Sequence, residues 1–126
     1  MERVQYHRKE KGGSFRQAEA DLGDVANHER VGRLMLLNSH LGSKTVDVVG
    51  RHHDPGDDPG QLICLVHMAN NLAKDLGLGY LPGEEGQYDS RVLTALDITQ
   101  KQVENFRDSL ATDVASEIRT VVDQCI

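Results

Sequence analysis

The chain has 126 residues, no tryptophan, two phenylalanines and three tyrosines, so one small domain with an aliphatic core is expected. Its formal net charge of −6 disfavours binding to nucleic acid or to anionic lipid. No apolar run reaches the roughly 18 residues of a membrane span, and the start "MERVQYHRKEKGGSF" lacks a signal peptide's apolar stretch. These features predict a cytoplasmic protein with no nucleic-acid or membrane partner.

The first part of the chain has no clear helical period. Residues 1–13 end in Gly12 and Gly13, and we expect a leader or a short ordered arm there, followed by one helical domain over 14–126. Ser14 stands at the N-cap position of a short helix that Gly23 closes.

Two further helices follow in "DVANHERVGRLMLLNSHLGSKTVDVVGRHHDPG". Asp24 is expected to cap the first and Ser43 the second, and Pro55 stops the second, which puts His52 and His53 in its last turn. Residues at spacings of three and four predict the inner face of the first of these helices: Val25, His28, Val31, Gly32, Met35 and Leu36.

The later helices carry clearer boundary signals. The segment "QLICLVHMANNLAKDLGLG" is the most apolar helix, closed by Gly77 or Gly79, and Asp89 or Ser90 starts a short helix. A capping box of Thr99 and Gln102 opens a last helix of roughly 25 residues. One apolar stripe follows that helix: Val103, Phe106, Leu110, Val114, Ile118, Val121 and Cys125.

No segment alternates with period two over more than a few residues. The predicted fold class is therefore all-α, a compact bundle of about six helices. The two cysteines, Cys64 and Cys125, form neither a disulfide framework nor a metal motif, so both are expected to be reduced, one of them packed as a small apolar side chain.

The stretch "VVGRHHDPGDDPG" is the main candidate for chemistry. His28 lies on the inner side of its helix, and His52 or His53 can join it, with Asp54 as the nearest carboxylate. Imidazoles from separate helices suit a first-row divalent metal ion, and carboxylates would complete the site, so the candidate cofactors are Mn, Fe, Zn and Mg. The alternative is structural: a histidine pair at a helix end caps its last carbonyls.

A second polar set lies on the most apolar helix. His67 is followed at three and four residues by Asn70 and Asn71, so the three share one face and are candidates for a polar pocket. An asparagine adds no charge to hold a divalent cation, and it can equally bond a neighbouring helix inside the core.

The order and spacing of these segments resemble the HDOD domain, the bacterial regulatory relative of the HD and HD-GYP metal-dependent phosphohydrolases. The resemblance spans about residues 15–126 and rests on three segments together. They are His28 with Val31 and Gly32, then His52-His53-Asp54-Pro55, then the Leu-Gly-Leu-Gly turn at Leu76 to Gly79.

This resemblance implies an HD-like all-α fold with His28, His52 and His53 where the enzymes bind metal. Two departures remove ligands. The chain matches only the later part of such a domain, without the helices that carry another His and the His-Asp pair. Asn70 stands where active relatives have an aspartate. The resemblance therefore implies a vestigial metal site.

The expected function is that of a non-catalytic signal-transduction or regulatory module that acts through protein contact, as a homodimer or on a signalling partner. One alternative is a metal-dependent phosphohydrolase acting on a nucleotide or cyclic dinucleotide, with His28, His53 and Asp54 as ligands and His67 as proton shuttle. Another is a metal- or nucleotide-sensing domain without turnover.

Overall fold

The computed structural model describes residues 2–24, 27–79, 81–113 and 115–125. All regular secondary structure in those ranges is helical, which confirms the predicted all-α class. The chain divides into two compact units, Met1–Asp54 and Pro55–Ile126. Within the described ranges, no helix has the length and apolar character needed to cross a membrane.

The first unit contains four helices: α1 (Glu2–Lys11), α2 (Phe15–Leu22), α3 (His28–Leu37) and α4 (Ser43–Arg51). The segment predicted as a leader or arm is thus helix α1, which packs on α2. His7 Nε2 lies 3.1 Å from an Asp21 carboxylate oxygen and links the two helices. Ser14 caps α2 as predicted, because its hydroxyl accepts the Gln17 backbone N–H at 3.1 Å.

The predicted caps of the next two helices are wrong. Asn27, not Asp24, caps α3, since its side-chain oxygen accepts the Arg30 backbone N–H at 2.8 Å. Asp24 instead pairs with the Arg30 guanidinium. Ser43 is the first residue of α4, and Gly42 occupies the N-cap position without a side-chain hydrogen bond. A cap has to lie immediately before the first helical residue, so an error of one or more positions changes the residue that does the capping.

The inner face of α3 is also narrower than predicted. Met35 is 73% exposed and Val31 is exposed, so neither belongs to the inner face. Glu29 is buried and Leu36, seven residues later, is half-buried, and this spacing marks the side that packs inward. The predicted stripe residue Val25 lies outside the described residues.

Helices α3 and α4 pack antiparallel and closely at two glycines. A Cβ added to Gly32 would lie 2.7 Å from Val49 Cγ1, and one added to Gly50 would lie 2.9 Å from Arg33 Cδ. The start of the first helix and the end of the second lie at the same end of such a hairpin. This geometry brings His28 beside the residues that follow α4.

The second unit contains α5 (Gln61–Asp75), α6 (Ser90–Ala95), α7 (Gln100–Asp113) and α8 (Ala115–Cys125). Its core joins buried side chains of α5, α6 and α7: Cys64, Met68, Val92 and Val103. The chain turns after α5 at Gly77, whose φ of +68° is a left-handed conformation that favours glycine.

The helix starts in this unit match their sequence signals. The Asp89 carboxylate accepts the Arg91 backbone N–H at 2.8 Å and caps α6. Thr99 and Gln102 form the predicted capping box, with bonds of 2.8 Å and 3.3 Å between the backbone N–H of each residue and the side-chain oxygen of the other. The predicted last helix corresponds to α7 and α8, and Val114 between them lies outside the described residues. Eight helical segments are therefore described where about six were predicted.

The two cysteines are free thiols, as expected. Cys64 is fully buried and its thiol donates to the Pro59 carbonyl at 3.5 Å, whereas Cys125 is exposed. Burial raises the pKa of Cys64, so this thiol is held in its protonated and unreactive form.

Candidate metal centre

Three histidines predicted as site residues come together in the first unit. His28 begins α3, His52 caps the end of α4, and His53 follows it. One side-chain nitrogen from each lies within 4.8 Å of the others. The ring centroids are 5.4 Å apart for His28 and His52, 5.0 Å for His28 and His53, and 4.1 Å for His52 and His53.

A buried carboxylate from α2 orients the ring of His28. Its Nδ1 lies 2.5 Å from an oxygen of Glu19, whose side chain is 3% exposed. The carboxylate can only accept, so Nδ1 carries the proton and Nε2 carries the lone pair. That Nε2 lies 3.1 Å from Nε2 of His53. The two nitrogens are within hydrogen-bonding distance, so His53 Nε2 carries the proton that a bound metal ion would replace.

His52 serves the helix end and the cluster with different nitrogens. Its Nδ1 donates to the Val49 carbonyl at 3.1 Å, which confirms the predicted capping role. The Nε2 nitrogen then has the lone pair that a metal ion needs. Burial lowers the pKa of His52, and the nearby His28 lowers it further. The neutral imidazole that binds metals is favoured for this reason.

A second buried acid supports His53. The His53 backbone N–H donates to one carboxylate oxygen of Glu29 at 3.4 Å, and the Arg16 guanidinium donates to the other at 3.3 Å. Sequence reasoning missed both Glu19 and Glu29. Glu29 lies seven residues before Leu36, so both belong to the inner side of α3. An unpaired charge is costly there, so this position could have indicated that Glu29 has a buried partner.

The donor set fits a first-row divalent metal ion. Tetrahedral Zn²⁺ with nitrogen bonds of about 2.0–2.1 Å needs ligand nitrogens about 3.3 Å apart, close to the 3.1 Å between the Nε2 atoms of His28 and His53. Metal-binding histidines commonly donate their other N–H to a carboxylate or a backbone carbonyl, as His28 and His52 do here. His28 is 36% exposed, so solvent reaches the cluster.

The predicted carboxylate ligand does not join this set. Asp54 is exposed, and the group of donors within 4.8 Å contains histidines alone among the described residues. Neutral imidazoles favour Zn²⁺ and Fe²⁺ over Mg²⁺, which prefers oxygen ligands. Of the metals considered from the sequence, the donor chemistry therefore suits zinc and iron best.

The second polar set has a structural task in the second unit. His67 is buried, and its Nε2 accepts the Asp89 backbone N–H at 3.1 Å. Asn71 is buried as well, and its side-chain oxygen accepts the Gln87 backbone N–H at 2.9 Å. Asn70 is half-buried. His67 and Asn71 thus hold the segment before α6 against α5.

Comparisons of the chain with protein-family models, with curated proteins and with solved structures found no match. The resemblance to HDOD domains depends on the order and spacing of the sequence motifs alone.

Proposed function

We propose that the chain is a non-catalytic regulatory module that binds one divalent transition-metal ion through His28, His52 and His53 and signals through protein contact. The observation that carries this proposal is the convergence of three imidazole nitrogens within 4.8 Å. The order of the HDOD-like motifs supports a regulatory role in the HD superfamily, with metal binding retained and turnover lost.

We propose binding without hydrolysis because the donor group found among the described residues lacks a carboxylate. Three neutral imidazoles leave the full charge of a divalent ion uncompensated by its direct ligands, while Glu19 and Glu29 balance it from behind. When bound, a metal ion in a three-histidine site supplies Lewis acidity to a water in its open position. Hydrolysis of a phosphodiester further needs groups that position the substrate. Asp54, which was predicted as a carboxylate ligand, is exposed and lies outside the donor set.

The test is a metal titration of protein purified without a histidine tag and stripped by a chelator. We expect one Zn²⁺ or Fe²⁺ per chain, weaker binding of Mn²⁺ and no stoichiometric Mg²⁺, following the affinity order for nitrogen ligands. His53→Ala removes a direct ligand, so it should cost more than the roughly 10- to 100-fold loss typical of an outer partner. His40→Ala is the matched control, because His40 is exposed and outside the cluster.

The outcomes separate the hypotheses. No binding by the wild type, or equal binding by His53→Ala, rejects the metal site and leaves the histidines as a capped helix end. Turnover of a model phosphodiester by the zinc- or iron-loaded chain, lost in His53→Ala, rejects the non-catalytic part and favours the phosphohydrolase alternative.

The protein-contact part rests on exposed apolar side chains. Along the predicted stripe, Phe106 of α7 is 56% exposed and Val121 of α8 is 58% exposed. Leu62 and Leu65 on α5 are exposed as well. Isolated apolar residues are common on surfaces, but rows of them on helices are typical of interfaces.

We propose a homodimer through the stripe. Light scattering should give the mass of two chains for the wild type and of one chain for Phe106→Ser. A monomeric wild type at high concentration rejects the dimer.

A further inference from the structure

Helix α2 contacts the histidine cluster through charged side chains, although it carries none of the histidines. Glu19 lies 2.5 Å from His28 Nδ1, and its carboxylate is almost completely buried. A buried carboxylate is costly unless it is paired and hydrogen-bonded. The pairing with His28 is thus an important part of what keeps α2 against α3.

A second charged contact runs from the same helix. Arg16 lies three residues before Glu19, so both side chains project from one face of α2. Arg16 bonds the Glu29 carboxylate at 3.3 Å, and that carboxylate accepts the His53 backbone N–H at 3.4 Å. Two of the three histidines are therefore connected to α2, His28 directly and His53 through Glu29.

We propose that Glu19 is a positioning residue that couples metal binding at the cluster to the docking of α2. This inference rests on the proposed metal-binding function and adds its regulation. The carboxylate on Nδ1–H fixes the ring of His28 and makes its Nε2 a better donor. A cation bound at Nε2 in turn makes Nδ1–H a stronger hydrogen-bond donor to Glu19.

The coupling is reciprocal by thermodynamic linkage. If the Glu19–His28 contact raises metal affinity, metal must strengthen the docking of α2 by the same factor. This coupling would let metal binding change the surface of α2 that faces away from α3. Helix α1, which packs on α2, would respond as well, although neither helix contributes a ligand.

Hydrogen–deuterium exchange on the full chain tests this, with and without saturating Zn²⁺. In the wild type, the amides of residues 15–22 should gain protection together with those of α3 and α4. Glu19→Gln keeps the shape and one acceptor oxygen but removes the charge. It should bind Zn²⁺ about 10- to 100-fold more weakly. At saturating Zn²⁺, the variant should still show increased protection from exchange in α3 and α4 but no increase in α2. Glu117→Gln, on the exposed start of α8, is the matched control.

Failure of the proposed metal binding can be distinguished from failure of the coupling to α2. A wild type that binds no Zn²⁺ rejects the proposed function and this inference with it. A wild type that binds Zn²⁺ without added protection of α2 overturns the coupling alone, as does a Glu19→Gln variant with wild-type affinity and wild-type protection. Circular dichroism reports whether the variant folds. If it does not, the wild-type exchange decides by itself, since α2 protection on zinc binding supports the coupling and its absence overturns it.

Discussion

Replacement of Gly32 by alanine tests the helix contact that assembles the histidine cluster. The new Cβ would lie 2.7 Å from Val49 Cγ1. Carbon atoms prefer separations of about 3.5–4.0 Å, so the two helices would have to move apart by roughly 1 Å. Valine is stiff at χ1 and cannot turn its methyl group away at low cost.

Two opposing effects set the expected change in the free energy of unfolding. Overpacking of this kind costs about 1–3 kcal/mol. Alanine in a helix also stabilises by up to about 1 kcal/mol relative to glycine. Gly50→Ala gains the same helix stabilisation but costs less in overpacking, because the new Cβ would lie 2.9 Å from Cδ of Arg33, an exposed and flexible side chain that can move. We therefore expect Gly32→Ala to be about 1–3 kcal/mol less stable than Gly50→Ala.

Urea unfolding followed by circular dichroism measures this difference, and zinc titration measures its effect on the site. A shift of roughly 1 Å between α3 and α4 would separate the Nε2 atoms of His28 and His53. Gly32→Ala should therefore also bind zinc more weakly than Gly50→Ala. Equal stability of the two variants would refute the close helix contact, and equal zinc affinity would refute its role in placing the ligands.

Three further outcomes are expected. Asp89→Asn should destabilise the chain by about 1 kcal/mol at neutral pH, because asparagine can still cap α6 but lacks the charge that pairs with Arg91. Arg91 lowers the pKa of Asp89 from 3.8 to about 2, so the wild type should lose this advantage as pH falls from about 4 through about 2; an advantage that persists below pH 2 would contradict it. Asn71→Ala should cost about 1–3 kcal/mol in urea unfolding, because buried backbone groups lose their partner, with zinc stoichiometry unchanged; lost zinc would instead make Asn71 part of the site. A thiol reagent should modify Cys125 rapidly and Cys64 only after denaturation, and rapid modification of two thiols in the native chain would contradict the burial of Cys64.

Local chemistry explains which features were predictable from the sequence. The caps at Ser14 and Asp89 and the capping box at Thr99 involve residues two or three positions apart, so their hydrogen bonds form wherever the helix forms. The carbonyl capping by His52 is local in the same way. The predicted cap at Asp24 was wrong, because Asn27, three residues later, caps α3.

The candidate site shows the opposite case. Sequence spacing named His28, His52 and His53, but their convergence depends on the antiparallel packing of α3 on α4 at Gly32. Glu19 contacts His28 from a different helix, which no helical period could reveal. The sequence by itself determined the helical segments after α1, the caps at Ser14, Asp89 and Thr99, and the three candidate histidines, since these follow from contacts within one or two turns. Only the tertiary structure decided which nitrogens meet and which buried acids support them, because those contacts join residues brought together by the packing of separate helices.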